Sequence, residues 1–224
     1  DPMRKAIAAA MEKSKREIPH YYLTHSIDMT GALDWLEAQN KTHAVTERLV
    51  YGVLLVKAVA MALKSTPELN GWWEQGAFKA AQAFDVGMVL SLRQGGMVVP
   101  VLPQANEKNL SVLMQEFLEV VARARSGRLR SSDLARGSIT ITSLGEQGVE
   151  SVVPVIYPPQ VAIVGFGAVL ERPWVVKDGS VNGTVQSRQI MQVTLAADHR
   201  ASDGASGSRF LKALNQLLQQ PEHL

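Results

Sequence analysis

The 224-residue chain contains no cysteine, which removes disulfides, thiolate metal sites and a cysteine nucleophile together. No apolar run approaches the roughly 18 residues of a membrane span, and the opening Asp1-Pro2-Met3-Arg4-Lys5 leads into no signal-peptide core. Charge of one sign is not in excess either: 23 basic residues face 21 acidic ones for a net of +2, so no global field marks a nucleic-acid binder. Familiar motifs are missing as well. There is no P-loop, no G-x-G-x-x-G between a strand and a helix, no histidine pair at metal-ligand spacing and no G-x-S-x-G elbow for a serine nucleophile. These absences predict no metal, no nucleic acid and no membrane partner. They leave a histidine doing acid–base chemistry, with a hydroxyl to steady an oxyanion.

A hydrophobic fraction of 46% is ample for a sizeable core, and the expectation is one domain over residues 1–224. No internal repeat or low-complexity linker divides it, and its abrupt beginning suggests a piece of something longer. Alanine-rich Arg4 to Lys15 reads as a helix ending before Ile18-Pro19. Tyr21 to Met29 reads as a strand, Thr30 to Gln39 as a helix, and Asn40 to His43 as a loop. Thr46 to Lys64 carries a broad apolar face and predicts a long helix. Val86 to Leu92 and Met97 to Leu102, joined by Gln94-Gly95-Gly96, predict a hairpin.

Asn109 is placed to cap a helix that closes at Ser126-Gly127. Arg123, Arg125, Arg128 and Arg130 cluster at its end, where solvated charges complementing the helix terminus are preferred over a phosphate site. Ser138 to Ser143 reads as a strand, and Leu144 to Gly148 as a flexible loop. Val161 to Gly165, apolar on both faces, reads as a central strand, and Asp178-Gly179 as the turn of a further hairpin. The whole predicts a mixed α/β fold with helices packed on a sheet.

Everything else is organised around Ala197-Asp198-His199-Arg200-Ala201-Ser202-Asp203-Gly204. It joins a strand, Ile190 to Ala196, to an amphipathic helix, Phe210 to Leu218. His199 is thereby held on a tight turn between two rigid elements. Asp203 is placed as N-cap of the helix, and Gly204 as the residue that removes side-chain bulk where the turn meets it. Gly204-Ala205-Ser206-Gly207 has the look of a glycine loop but falls inside the closing helix. His20 is expected to be a packed or hydrogen-bonded histidine, and His25, His43 and His223 have no recognisable chemical neighbours.

Arg4-Lys5-Ala6-Ile7-Ala8, Ser14 to Leu23, Val98 to Val101, Ile139 to Gly145, Pro158 to Gly165 and Asp198 to Gly204 resemble, in order, motifs of one family. It is the inner-core catalytic domain of the dihydrolipoamide acyltransferases of 2-oxo-acid dehydrogenase complexes. The resemblance covers essentially the whole chain. It implies a fold like that of chloramphenicol acetyltransferase, assembled as a homotrimer with sites between subunits. An acyl group would pass directly between the thiols of dihydrolipoamide and coenzyme A. His199 would be the general base, Thr142 the oxyanion donor and Asp203 a support for the turn and its charge network. Arg4 or Lys5 is assigned to the Asp203 turn or to the cofactor phosphates.

The resemblance further implies a lipoyl group supplied by a separate domain, and dehydrogenase-complex partner subunits reached through domains outside these residues. The expected compartment is the cytoplasm, or the mitochondrial matrix in a eukaryote. Acetyl is favoured over succinyl and branched acyl groups by Pro19-His20-Tyr21-Tyr22-Leu23. The ending Pro221-Glu222-His223-Leu224 has fewer leucines than cage-forming relatives, so the expected assembly is a trimer. The rival readings are a non-catalytic trimeric scaffold and a chloramphenicol-type small-molecule acetyltransferase.

Overall fold

The computed structural model describes residues 2–92, 96–177 and 183–224. In chain order the helices are α1 (Pro2–Glu17), α2 (Thr30–Thr42), α3 (Tyr51–Ala62), α4 (Leu110–Arg125) and α5 (Gly204–Leu218). The strands are β1 (His20–Asp28), β2 (Gly71–Glu74), β3 (Ala77–Ala80), β4 (Val86–Met88) and β5 (Leu90–Ser91). Then follow β6 (Met97–Val98), β7 (Val101–Leu102), β8 (Ile139–Ser143), β9 (Ala162–Val176) and β10 (Thr184–Asp198). The main sheet has the order β1-β10-β9-β8-β4-β7, while β2-β3 and β5-β6 form small ribbons. Pairing is parallel where β8 meets β4 and β9, and antiparallel elsewhere. The sheet is therefore mixed, as expected.

Alternation along the strands divides the sheet into two faces. Ile139, Ile141, Ala162, Val164, Leu195 and Ala197 belong to the main core with α3, α4 and α5. α3 is buried nearly all round, including Lys57 at 5% exposure. That ammonium reaches the carbonyls of Ala105, Asn106 and Lys108, which spend its three donors. On the other face a smaller core joins Ile18, Ile156, Ile163 and Ala196. There α1 and residues 150–156 lie against the sheet, and Ser14 donates to the Ile156 carbonyl at 2.6 Å. Gly167 makes this cover possible, because a Cβ there would stand 1.9 Å from the Glu150 carbonyl oxygen.

Several boundaries differ from expectation. The helix expected from Thr46 begins only at Tyr51, and α2 continues through the expected loop to Thr42. One interaction explains both: the Asn40 side chain donates to the Leu49 carbonyl at 2.9 Å and accepts from its N–H at 2.8 Å. Asn40 is thus kept on a helix and Leu49 is kept off one. The expected hairpin over residues 86–102 exists but is bent in two. Leu90 pairs with Val98 in its own ribbon, while Val86 pairs with Leu102 in the main sheet. Its turn residues Gln94 and Gly95, like Asp178 and Gly179 of the later hairpin, lie outside the described residues. No helix among the described residues is long and apolar enough to cross a membrane.

Candidate active site

β10 ends at Asp198, paired with His20 of β1, and the chain turns at once. The Asp198 carbonyl accepts from the N–H groups of Ala201 at 3.0 Å and Ser202 at 3.1 Å, while the His199 N–H donates to Pro19 at 3.0 Å. His199 is exposed. Its ring meets the Tyr21 ring edge-on, with centroids 5.1 Å apart and planes at 61°. The Tyr21 hydroxyl is in turn tied to Ser202 Oγ at 2.9 Å, and burial pushes the phenol's pKa up. A backbone held this way presents an imidazole to solvent with little freedom in its base.

Asp203 caps α5, its Oδ1 accepting from the Ser206 N–H at 2.9 Å. That backbone bond, foremost, holds its carboxyl below the usual carboxylate range. Arg209 lies nearby and joins Glu68 at 2.7 Å and Ser206 Oγ at 3.1 Å, so the cap sits in a small charge network. Gly204 does not act as expected: a Cβ there would meet nothing within 4 Å. The glycine that bulk excludes is Gly207, where a Cβ would lie 2.7 Å from Leu23 and 3.0 Å from Leu195. Arg4 and Lys5 are exposed on the first turns of α1, and no described hydrogen bond or ion pair joins either to Asp203.

Thr142 stands on β8, on the face covered by residues 150–156. It lines a cavity of about 620 Å³ with Ile7 and Met11 of α1, Val152, Pro154 and Ile163. Its neighbour on the same face, Thr140, donates to Gln160 Oε1 at 2.6 Å. Among the described residues the Thr142 hydroxyl makes no such bond, and it is half-buried on an apolar wall. A hydroxyl in that position is a donor in reserve. A second hollow of about 310 Å³, along the outer halves of β9 and β10, contains neither His199 nor Thr142.

His199 and Thr142 are not brought together within one chain. Thr142 is level with Gly165, and Gly165 with Thr194, four residues before Asp198. Two strand spacings and four residues of rise place the end of β10 about 16 Å from Thr142. Neither side chain spans that gap.

His20 behaves as the packed histidine expected. Its Nε2 accepts from the Ile156 N–H at 3.1 Å and its Nδ1 donates to the Ile18 carbonyl at 2.9 Å. Of the arginine cluster, expected as solvated charges, Arg123 is instead largely buried and forks onto Asp133 through Nε and Nη2, both contacts at 2.8 Å. Residues that sequence reasoning left unassigned are Tyr21, Arg200 and the pair Trp72-Trp73. The Arg200 guanidinium lies 4.7 Å over the Trp73 ring, and Arg136 lies 4.0 Å over Trp72 at the cavity. Two adjacent tryptophans in a chain with four were the available signal. Among the described residues no group of three or more His, Asp or Glu side chains has the arrangement of a metal site.

Residues 1–224 match the family model described as 2-oxoacid dehydrogenases acyltransferase (catalytic domain). The chain is 35% identical over 220 residues to the dihydrolipoyllysine-residue acetyltransferase component of the pyruvate dehydrogenase complex of Zymomonas mobilis, covering 98% of this chain and 49% of that protein. It thus spans about half the length of such relatives. The dihydrolipoamide acetyltransferase of Azotobacter vinelandii superposes with a TM-score of 0.90 at 28% identity, covering 99% of this chain and 90% of that one. The cubic core of a pyruvate dehydrogenase multienzyme complex gives 0.90 at 29%, with the same coverages. Chloramphenicol acetyltransferase, at 0.59 and 14% identity over 94% of each chain, shares the fold. With the fold, the motifs and this match all running the length of the chain, the protein belongs to the 2-oxoacid dehydrogenase acyltransferase family.

Proposed function

We propose that the chain is the catalytic part of a dihydrolipoyllysine-residue acyltransferase, passing an acyl group, acetyl by preference, between dihydrolipoamide and coenzyme A. The observation that carries this is a pair of groups without a side-chain hydrogen bond among the described residues: an exposed imidazole on a clamped turn, and a hydroxyl in the wall of a cavity about 620 Å³ in volume. The cavity falls within the range of small-ligand pockets. The study of the Azotobacter enzyme concerned a serine, a histidine and an asparagine in catalysis, the last two four positions apart. His199 and Asp203 have the same spacing, and Thr142 supplies the hydroxyl.

Because His199 and Thr142 stand about 16 Å apart in one chain, the working site is assigned to the junction of two copies. His199 of one faces the Thr142 cavity of the next, and three copies close the ring. A free thiol is only about a few per cent thiolate at pH 7. The neutral His199 imidazole takes the thiol proton as sulfur attacks the thioester carbonyl. The carbonyl oxygen gains the negative charge and accepts a hydrogen bond from Thr142 Oγ1. When the intermediate collapses, the other thiol leaves with the proton returned by His199. No bond to the protein forms, in keeping with the absent cysteine and serine elbow. Base catalysis is worth about 10² to 10⁴ in rate, and one oxyanion donor about 3 kcal/mol.

The lipoyl group arrives on a separate domain, and the partner subunits of a dehydrogenase complex through segments outside these residues. The test is acetyl transfer from acetyl-coenzyme A to dihydrolipoamide, with chloramphenicol as the competing acceptor. Transfer to dihydrolipoamide alone is expected. Transfer to chloramphenicol, or to neither, would overturn the reading.

A further inference from the structure

His199 owns few contacts. Among the described residues one backbone bond and the edge of Tyr21 hold it, so its direction is set by the residues on either side. Those two residues are tied to each other across it. The Asp198 carboxylate accepts from the Arg200 backbone N–H at 2.9 Å, from Nε at 2.9 and 3.1 Å, and from Nη2 at 2.7 Å. The Asp198 side chain is fully buried, while that of Arg200 remains 30% exposed.

Burying a carboxylate is costly, and a buried ion pair is weak support for stability, so the pair calls for another reason. The geometry supplies one. The guanidinium fork closes a staple around the backbone of His199, with the Asp198 N–H bonded to Val161 at 2.8 Å and its carbonyl to the N–H groups of Ala201 and Ser202. The outer face of the fork rests on Trp73. Trp73 is itself fixed, its N–H donating to the Pro159 carbonyl at 2.8 Å. A planar guanidinium forks onto both oxygens of a carboxylate while its face stacks on a ring, and the compact ammonium of a lysine cannot do both at once.

We propose that Asp198 and Arg200, braced on Trp73, are positioning residues that hold His199 in its proton-transfer geometry. The proposal rests on His199 being the base of acyl transfer. Misplacing a catalytic group by an ångström costs about 10²-fold in rate, so the staple acts on turnover and leaves substrate binding alone.

The test uses the assembled enzyme with acetyl-coenzyme A and dihydrolipoamide, and rates are normalised to folded protein. Asp198→Asn and Arg200→Lys are expected to lower kcat about 10- to 100-fold and to leave both KM values little changed. Trp73→Leu follows the same pattern more weakly, and Trp73→Phe restores the rate by restoring an aromatic face. In spectra of ¹³C-labelled histidine rings, the resonance lost in His199→Ala is expected to broaden or double in Arg200→Lys. Where Asp198→Asn does not fold, the lysine variant decides. Wild-type kcat in Arg200→Lys, or a loss appearing mainly in KM, overturns the proposal. His199→Ala run alongside separates the two ideas: normal turnover there removes the base itself, while its collapse beside a normal Arg200→Lys removes only the staple.

Discussion

His20 and Ile156 are joined by a hydrogen bond in which the ring accepts: the Ile156 N–H donates to His20 Nε2 at 3.1 Å. Only an unprotonated nitrogen accepts, so the ring is neutral with its proton on Nδ1, facing the Ile18 carbonyl. Burial, foremost, lowers its pKa below the ordinary 6.5.

A folded pKa below the unfolded one stabilises the protein above the unfolded value, and that contribution disappears as pH falls through the folded one. Acidification from neutrality to below the His20 pKa is therefore expected to lower the unfolding temperature and loosen the segment over the Thr142 cavity. Thermal melts between pH 8 and pH 5 check this against His20→Gln, whose amide oxygen accepts without titrating. The variant's curve should be flatter; two parallel curves would contradict the assignment.

Thr142→Ala is expected to reduce kcat by about 10²- to 10³-fold, with a smaller change in either KM, because an oxyanion donor acts mainly in the transition state. Thr142→Ser keeps the hydroxyl and should keep much of the rate. Steady-state kinetics with both thiol substrates decide it. A rise confined to KM would make Thr142 a binding residue.

Gly167→Ala is expected to destabilise by about 2 kcal/mol or more, because its methyl would overlap the Glu150 carbonyl and the backbone must move. Gly204→Ala, where a Cβ meets nothing, is expected to be neutral or slightly stabilising. Urea midpoints compare the two. Equal midpoints would mean that residues 150–156 do not press on β9 as described.

Arg123→Ala is expected to lower the unfolding temperature and leave the KM for coenzyme A unchanged. Its Nε and Nη2 donate to Asp133, whose carboxyl those bonds hold below its usual range, and its Nη1 to Glu119. A raised KM in a folded variant would restore the phosphate-binding alternative for this cluster.

What was legible in the sequence was local. Asn109 caps α4 through the Val112 N–H, and Gly127, at φ 68°, closes it; both signals sit within the helix's own turns. β10 was legible from Ile190 onward, where it is buried. The outer half, Thr184 to Gln189, is mostly exposed and polar and announces itself only through its pairing with β9. The late start of α3 was not legible, since Asn40 overrides helix propensity from nine residues away. His199 and Thr142 came from a resemblance in their motifs. Their separation within one chain, which the resemblance implied in placing sites between subunits, has its physical basis in strand order and register.

We propose that His199 of one copy serves the Thr142 cavity of another. The most direct measurement mixes His199→Ala chains with Thr142→Ala chains, dissociates and reassembles them, and assays acetyl transfer. Each variant alone is expected to be nearly inactive. In a ring of three drawn at random from an equal mixture, about a quarter of the junctions pair an intact His199 with an intact Thr142. Recovery of about a quarter of wild-type activity is therefore expected. Reassembled mixtures no more active than the separate variants would contradict it.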